Sequence, residues 1–394
     1  MFMTRKIDKI TYINAPYFMS IKKHYLVYFY AFILVACTSN KREPNLIPFR
    51  KGDKYGYSDF SKKIIFDCIY DYADLFNEGL ASVKLNGKWG YIDNTGKIII
   101  PTIYSSVLAF NKGIAPVEIN DKWGFINKKG ELVIPNIYNF HSLEILNGGL
   151  FTEGLMPVEI NTKWGFINEE GKLVIPCSYE DAYDFSEGLA SVKLNGKWGS
   201  INKEGKITIP FLYDSPFSFI DSVANIETYS NSISINGAIV PTDSKYGFID
   251  KSGKLVIPNI YDNAISFSEG LSCVSVNGKK GFINKTGKII IPLIYDWAYT
   301  FKEGVTSVSV NSKTGFIDKT GSTIIPFIYD ESSEFNEGLA AFKLNGKWGF
   351  LNHEGKIIIQ PIYDKVIDFK NGFAYVQYDS KWGLVNKDGN QYFE

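Results

Sequence analysis

The chain has 394 residues, of which 42 are basic and 42 acidic, so its formal net charge is zero. Because these charges are interspersed and form no basic stripe, the sequence argues against a basic surface that could bind nucleic acid. Four cysteines are too few for a disulfide framework in a chain of this length. Aromatic residues make up 15% of the chain, a content typical of half-buried β-strands.

Residues 1–36 are predicted to be an export signal. An apolar stretch, residues 25–36, follows the basic pair Lys22-Lys23, and this order is typical of a signal peptide. The stretch is too short for a membrane-spanning helix. It closes with Leu34-Val35-Ala36-Cys37.

This closing segment resembles the lipobox of bacterial lipoproteins. The resemblance implies that Cys37 receives a diacylglyceryl group, becomes the mature N-terminus and anchors the protein to a bacterial membrane, on the periplasmic side or at the cell surface. Residues 37–48 would then be the lipidated cysteine and a flexible polar tether. Since residues 1–21 are long for the charged part of a signal, we expect translation to start at Met19, or residues 1–18 to be an extension. The alternative is an uncleaved membrane anchor with an incidental cysteine.

From residue 49 to the end the sequence is periodic. Tryptophan followed by glycine occurs at Trp89, Trp123, Trp164, Trp198, Trp348 and Trp382, and Tyr55, Tyr246, Lys280 and Thr314 continue the frame before glycine. Seven of the nine steps are 34 residues long, and the other two are 41 and 48. A fixed period of this size predicts a tandem array of ten copies of one β unit.

Each copy reads as three strands. Leu80–Leu85 alternates, which predicts Ala81 and Val83 on a buried face and Ser82 and Lys84 on a polar face. Asn86-Gly87 follows as a mirror-type hairpin turn, which needs positive φ twice.

The return strand is Trp89–Asp93, and the turn Asn94-Thr95-Gly96 uses glycine for a left-handed position. Lys97–Ile100 is the third strand, which Pro101 is expected to end. The copy is therefore predicted to be a three-stranded meander plus a connector.

A single 34-residue copy buries too little apolar surface to fold alone, so neighbouring copies must share a core. We expect an all-β open solenoid or superhelix of stacked meanders. The alternative is a closed ring resembling a β-propeller, although the repeat is short for a four-stranded blade and ten blades exceed the usual range.

The repeat resembles the WG (also called KWG) repeat family of bacterial proteins. Asn86–Pro101, Asn195–Pro210 and Asn345–Pro361 carry the pattern most fully, with Ser200 at the aromatic position of the second and Gln360 before the proline of the third. The resemblance implies a β repeat array that mediates interactions, and it supplies no catalytic residues.

Two insertions interrupt the period and are candidate recognition elements. The first lengthens a connector near residues 139–150, and the second lengthens a hairpin near residues 229–245. Neutral surface insertion is the alternative. Cys68 and Cys177 lie three repeats apart, and we expect these cysteines and Cys273 to be unpaired strand residues.

The candidate binding residues are the six frame tryptophans, which recur once per repeat in their copies. Their rings could stack on a glycan or on an extended peptide, or they could be structural residues beside the hairpin. The positions are Trp89, Trp123, Trp164, Trp198, Trp348 and Trp382.

Catalysis is the least favoured class of function. The repeated Tyr-Asp and Glu-Gly carboxylates could form an acid pair for glycoside hydrolysis, yet a catalytic pair should be unique. Acids beside turns commonly accept bonds from local backbone donors. The histidines are not spaced as ligands, so neither a metal nor a cofactor is expected.

The sequence therefore predicts a non-catalytic, monomeric envelope lipoprotein. Its repeat surface would bind an unidentified protein, and glycan binding through the tryptophans is the alternative.

Overall fold

The protein is all β, and its repeats form ten consecutive sheets. The structure, a computed structural model, describes residues 46–139, 151–235 and 238–394, with the backbone alone at 230–235 and 238–243. The predicted signal peptide, Cys37, nearly all of the tether and most of the first insertion lie outside the described residues. Within the described residues no helix is long and apolar enough to cross a bilayer.

The ten sheets are blades 1 to 10, in chain order. Blade 1 contains β1 (Ile47–Lys51), β2 (Lys54–Ser58) and β3 (Ile64–Tyr70), and blade 2 contains β4 (Tyr72–Ala73), β5 (Leu80–Leu85), β6 (Lys88–Asp93) and β7 (Ile98–Tyr104). Blade 3 contains β8 (Ser106–Val107), β9 (Ile114–Ile119), β10 (Lys122–Asn127) and β11 (Leu132–Tyr138), and blade 4 contains β12 (Leu155–Ile160), β13 (Lys163–Asn168) and β14 (Leu173–Tyr179). Blade 5 contains β15 (Asp181–Ser186), β16 (Leu189–Leu194), β17 (Lys197–Asn202) and β18 (Ile207–Tyr213).

The second half of the chain repeats this organisation. Blade 6 contains β19 (Val223–Ile235), β20 (Ala238–Asp250) and β21 (Leu255–Tyr261), and blade 7 contains β22 (Asn263–Ala264), β23 (Leu271–Val276), β24 (Lys279–Asn284) and β25 (Ile289–Tyr295). Blade 8 contains β26 (Trp297–Ala298), β27 (Val305–Val310), β28 (Lys313–Asp318) and β29 (Thr323–Tyr329). Blade 9 contains β30 (Glu331–Ser332), β31 (Leu339–Leu344), β32 (Lys347–Asn352) and β33 (Ile357–Tyr363), and blade 10 contains β34 (Lys365–Val366), β35 (Phe373–Tyr378) and β36 (Lys381–Asn386).

The connector adds a strand that the sequence pattern did not predict. In blade 2 the strand order is β4-β5-β6-β7, all antiparallel, and Tyr72 of the connector pairs with Lys84. For the six blades with four-stranded sheets, the expectation of a three-stranded meander was therefore one short strand too few, whereas the sheets of blades 1, 4, 6 and 10 have three strands. Pro101 also does not end β7, which runs through it to Tyr104. Proline is tolerated there because β7 is an edge strand of its sheet and needs no donor on its free side.

The glycine of each Trp-Gly pair has a steric cause. In blade 2 a side chain on Gly90 would place its Cβ 2.5 Å from the Ile100 carbonyl oxygen and 2.7 Å from Pro101. The pairing of β6 with β7 is irregular here. Tyr91 pairs with Ile100, whereas Trp89 pairs with Tyr104, so the register shifts between the two pairs. The bulged backbone of β7 thus presses on Gly90, so only glycine fits.

The strands are buried on both faces. Leu80, Ala81, Ser82 and Val83 of β5 are 8%, 1%, 3% and 0% exposed, although we expected Ser82 on a polar face. Alternation fails because a blade packs against a neighbouring blade on each side, and a serine fits where the blades approach closely. The Asn86-Gly87 turn has positive φ at both residues, as predicted.

The chain closes into a ring, the arrangement given as the alternative to an open solenoid. Ile47 and Phe49 of blade 1 share a buried cluster with Tyr375, Leu384 and Tyr392 of the last repeat. A parallel bridge also joins the first and last repeats, between Arg50 and Phe393. The open array is thus not what forms, because the end blades would each leave an apolar face uncovered, and here each covers the other.

The ring has two faces. On the turn face lie the turns that precede and follow the central hairpin of each blade, Glu78-Gly79 and Asn94–Gly96 in blade 2. On the hairpin face lie the hairpin turns, Asn86-Gly87 in blade 2, together with the connectors that begin at residues such as Asp71. Both assignments follow from the strand ends at which each turn lies.

Candidate functional site

The frame tryptophans line the seams between blades. Trp89, Trp164 and Trp198 are buried, at 3%, 5% and 4% exposure. Trp123, Trp348 and Trp382 are partly buried and belong to the edges of three core clusters. Three of the six candidate rings therefore offer no open face on which a ligand could stack.

Aromatic contacts connect these positions from blade to blade. Tyr55 of blade 1 lies 5.1 Å from Tyr72 of blade 2, measured between ring centroids, and Tyr72 lies 5.7 Å from Trp89. The Nζ of Lys84 stands 5.7 Å from the centroid of the Trp89 ring. Tyr55 at the frame position of blade 1 thus touches the connector strand of blade 2. Trp89 belongs to a buried cluster with Val107 and Val117 of blade 3, which gives it a structural role.

One exposed tryptophan falls outside the frame and was missed by the sequence analysis. Trp297 lies in the connector strand of blade 8 and is 39% exposed. The Nζ of Lys280 lies 4.3 Å from its ring centroid, and Tyr299 packs against it at 6.0 Å. The sequence did contain a signal for Trp297. The frame positions before and after it are occupied by Lys280 and Thr314 instead of tryptophan.

The Glu-Gly turns bind the neighbouring blade along the turn face. Glu78 accepts hydrogen bonds from the Lys112 and Gly113 backbone N–H groups of blade 3, at 2.7 and 3.0 Å. Its carboxylate also pairs with Lys128 at 3.1 Å. The same arrangement recurs in later blades, with acceptors Glu153, Glu187, Glu269, Glu303 and Glu337. These acids join blades and are committed to backbone donors.

The connector acids do the same on the hairpin face. Asp71 accepts from the Lys54 ammonium of blade 1 at 2.5 Å and from the Gly87 N–H of its own hairpin at 2.9 Å. The Lys54 bond is the first-named cause of the lowered pKa of Asp71, and the Gly87 bond adds to it. Lys279–Asp296 and Lys313–Asp330 repeat this pairing, at 2.5 and 2.7 Å.

Buried carboxyls lie at the inner connector strands of three blades. Burial raises the pKa of Asp74 well above its ordinary value, against a lowering by the Ser82 hydroxyl, which donates to it at 2.6 Å. Burial likewise raises the pKa of Asp184 to about 6. Asp368 has a raised pKa for the same reason, and the Ser333 hydroxyl donates to it at 2.6 Å.

Metal and thiol chemistry finds no assembled site in the described part of the chain. No group of three or more metal-binding side chains occurs among the residues described. His353 pairs with Glu303 at 2.9 Å and stacks on Phe335 at 3.9 Å. Cys68, Cys177 and Cys273 are free thiols, as expected, and Cys273 is buried.

The second insertion extends one hairpin of blade 6. We call residues 229–244 the arm. Strands β19 and β20 have 13 residues each, where the corresponding strands of other blades have 5 or 6. Their antiparallel register continues without a break from Val223↔Asp250 to Ile235↔Ala238, apart from Ser230. The extra residues that the structure describes therefore lie at the hairpin end of blade 6.

These features define a ten-bladed ring of the β-propeller class, built from one repeat. The chain belongs to the WG containing repeat family, whose pattern matches residues 55–89, 89–123, 123–164, 164–198, 198–228, 246–279, 281–313, 315–348 and 348–382. No curated protein matches its sequence.

Solved structures resemble the chain at low sequence identity. A eukaryotic initiation factor is 10% identical, with 88% of this chain and 94% of that chain covered and a TM-score of 0.45. The extracellular domain of a hybrid two-component system from B. thetaiotaomicron is 10% identical, with 90% and 59% covered and a TM-score of 0.32. Hsv2 of Kluyvelomyces marxianus is 7% identical, with 59% and 88% covered and a TM-score of 0.34.

Proposed function

We propose that the protein is a non-catalytic scaffold of the bacterial cell envelope that binds a protein partner. In this proposal a lipid on Cys37 anchors the chain, and the ring presents the arm to the partner. The arm is the observation that carries the proposal, because it is the one described hairpin that departs from the repeat.

The arm projects well beyond its blade. Each of its strands has 7 residues more than the corresponding strand of blade 5, from the difference of 13 and 6. At about 3.3 Å per residue this amounts to roughly 23 Å. The third strand, β21, pairs with β20 only from Tyr246 onward. Within the described residues, both edges of the arm therefore lack a neighbouring strand.

Unpaired strand edges favour recognition by strand addition. A two-stranded ribbon is marginally stable by itself in water, and a partner strand would satisfy its free backbone groups. In contrast, the last strand of each of blades 2 to 9, such as β7, contains a proline, Pro101 in β7. Proline lacks a backbone N–H donor and so disfavours pairing of that edge with a partner strand. The arm is thus the better acceptor for a partner strand.

The engaged acids support a non-catalytic role. Glu78 represents the Glu-Gly turns and Asp71 represents the connector acids. The carboxylate oxygens of both accept hydrogen bonds from backbone or lysine donors. A general acid or nucleophile needs a carboxyl that can reach a substrate atom.

Shortening the arm tests the proposal. Replacing residues 229–244 with Asn-Gly would give blade 6 the hairpin of blade 5, where Leu194 and Lys197 flank Asn195-Gly196. We expect this variant to melt at the same temperature as the parent and to lose a protein that the parent captures on crosslinking in intact cells. Asn277→Asp, which preserves the turn of blade 7 on the same face, is the matched control. Capture of the same partner at undiminished yield by the shortened variant would refute the arm as docking site.

Glycan binding is the second candidate, and the exposed ring of Trp297 is the observation that favours it. A sugar could stack on such a ring beside Tyr299. Titration with cell-wall oligosaccharides should then change the tryptophan fluorescence of the parent and leave that of Trp297→Phe unchanged. A parent signal that does not respond removes this candidate.

The anchor has its own test. Mass spectrometry of the mature protein should find a lipid-modified N-terminal peptide that begins at Cys37. A mature N-terminus upstream of that residue would contradict the anchor and favour the uncleaved alternative.

A further inference from the structure

The turn between β2 and β3 of blade 1 differs from its nine counterparts. We call residues Asp59–Lys63 the first-blade turn. Lys62 has φ of 68°, in the left-handed region, where the equivalent residue of every other blade is glycine. Those glycines are Gly96, Gly130, Gly171, Gly205, Gly253, Gly287, Gly321, Gly355 and Gly389. Lysine is less favourable than glycine in this region, although non-glycine residues such as Lys112 also adopt positive φ elsewhere in the ring.

The same turn carries an aromatic side chain in water. Phe60 is 50% exposed, more than any other large aromatic residue of the described chain. The equivalent residues of the other blades are all polar, namely Asn94, Lys128, Glu169, Lys203, Lys251, Lys285, Lys319, His353 and Lys387. Ile64 and Ile65, which follow the turn, are 36% and 44% exposed, and the corresponding residues of other blades, such as Leu132 and Val133 at 54% and 43%, are exposed too, so Phe60 is the distinguishing apolar group.

Two lysines accompany these apolar groups. Lys62 and Lys63 are both exposed, and neither has an ion-pair partner in the described part of the chain. The nearby Asp59 uses one oxygen, Oδ1, to accept from the Ser61 N–H, the Ser61 hydroxyl and the Lys63 N–H, at 2.8, 2.6 and 3.0 Å. Asp67 on β3 is exposed, whereas Asp59 is partly buried. Exposed aromatic and aliphatic groups beside lysines are the chemistry of a membrane-interface contact.

The chain enters the ring next to this turn. Ile47, at the start of β1, pairs with Ser58, and Ser58 pairs with Ile64 on its other side. Residues 38–46 separate Cys37 from Ile47, and the ten steps between these two residues span at most about 35 Å. A lipid anchor at Cys37 would therefore hold the first-blade turn close to the bilayer surface.

The arm lies far from this point. Blade 6 is five blades from blade 1 in a ring of ten, and its arm extends from the hairpin face, whereas the first-blade turn lies on the turn face. A membrane contact at one site would leave the other free for a partner.

We propose that the first-blade turn, with Ile64 and Ile65, is a contact site for an anionic lipid surface. Phe60 and the isoleucines enter the headgroup region while Lys62 and Lys63 bind lipid phosphates. The lipid anchor of the proposed function supplies the proximity, and the contact orients the ring with its arm away from the bilayer.

Vesicle sedimentation of residues 38–394, which contain every strand of the ring and lack the acylated cysteine, measures the contact alone. The parent should bind vesicles that contain phosphatidylglycerol and bind phosphatidylcholine vesicles at least about tenfold more weakly, since each lysine near an anionic surface contributes about fivefold. The variant Phe60→Asn, Ser61→Thr, Lys62→Gly has the turn of blade 2 and should lose at least about tenfold in partition. Lys254→Ser, at the position of Lys63 in the opposite blade, is the matched control and should bind as the parent does.

Three results would overturn the inference. They are no binding of the parent to phosphatidylglycerol vesicles, equal binding to both vesicle types, and undiminished binding of the turn variant. If the turn variant instead loses the crosslinked protein partner while vesicle binding is unchanged, the patch is a protein site. Partner capture that continues without vesicle binding removes this inference alone and leaves the proposed function intact.

Discussion

The backbone N–H of Glu394 donates to the carbonyl oxygen of Arg50 at 3.0 Å, the bond that Asp71 makes to Lys84 at 2.8 Å in blade 2. The last residue of the chain thus occupies the place of a connector at the seam between blades 10 and 1. At every other seam a covalent connector joins the two neighbouring blades. Here hydrogen bonds and packing alone close the ring, so this seam is where stability should be most sensitive to single substitutions.

Tyr392→Ala should destabilise the ring strongly. The side chain is 1% exposed and packs between the first and last repeats, and loss of a buried aromatic side chain costs about 3–5 kcal/mol. Glu394→Ala is the control, because its ion pair with Lys51 spans 3.4 Å between side chains that are 63% and 64% exposed and contributes at most about 1 kcal/mol. Urea unfolding of both variants measures the difference, and equal losses would argue against a packed seam.

Asp74→Asn should remove a pH dependence of stability. Burial raises the pKa of Asp74 in the folded protein above its unfolded value of about 3.8, so the folded state holds this proton more tightly. The contribution of Asp74 is full below the unfolded pKa and is lost as pH rises toward the folded one. The parent should therefore lose stability relative to the variant as the pH rises from 4 to 8. Parallel stability profiles would contradict the buried state of this carboxyl.

Glu337→Ala should weaken the seam between blades 9 and 10 by about 1–2 kcal/mol. Glu337 accepts from the Asn371 and Gly372 N–H groups at 2.6 and 2.9 Å and pairs with Lys387 at 3.0 Å. Burial acts to raise its pKa, but the backbone bonds and Lys387 lower it overall, so its contribution is present above the unfolded pKa and is lost as pH falls. Glu204→Ala, at an exposed turn residue, should change nothing in the same unfolding experiment.

Gly90→Ala should cost at least about 3 kcal/mol, because its Cβ would meet backbone atoms of β7 at 2.5 Å and neither strand can move aside. Lys62→Gly should have the opposite sign and stabilise the protein by about 1 kcal/mol through relief of its positive φ of 68°. Thermal unfolding of the two single variants checks both signs. A destabilised Lys62→Gly would mean that the turn is not strained.

Trp198→Ala and Trp297→Ala should separate structural from surface tryptophans. Trp198 is 4% exposed, and its loss should cost about 3–5 kcal/mol. Trp297 is 39% exposed, and its ring contacts the Lys280 ammonium and Tyr299 at the surface, so its loss should cost about 1 kcal/mol. Similar losses in urea unfolding would mean that Trp297 is part of the core.

The repeat pattern was sufficient to predict much of the fold. The alternation of Leu80–Leu85, the Asn86-Gly87 turn and the 34-residue period predict strands, hairpins and ten equivalent units, and all three are present. The two-residue strand Tyr72–Ala73 could not be read in the same way, because so short a segment has no period and pairs only once Lys84 stands beside it.

The candidate site was harder to predict. The frame tryptophans stood out in sequence because they recur, yet recurrence reflects the packing that every seam needs, and Trp89 is buried for that reason. Phe60 occurs once in its turn and had no periodic signal, and the only sequence signal for Trp297 was the lack of tryptophan at the frame positions Lys280 and Thr314. Their exposure was visible only after the blades were assembled.

The sequence by itself determined the repeating unit, because alternation and turn chemistry act within a few neighbouring residues. Only the tertiary structure decided that the array is a ring. The ring closes only if the small rotations between neighbouring blades, added over all ten blades, bring Arg50 beside Glu394. That total depends on every seam and cannot be read from one repeat.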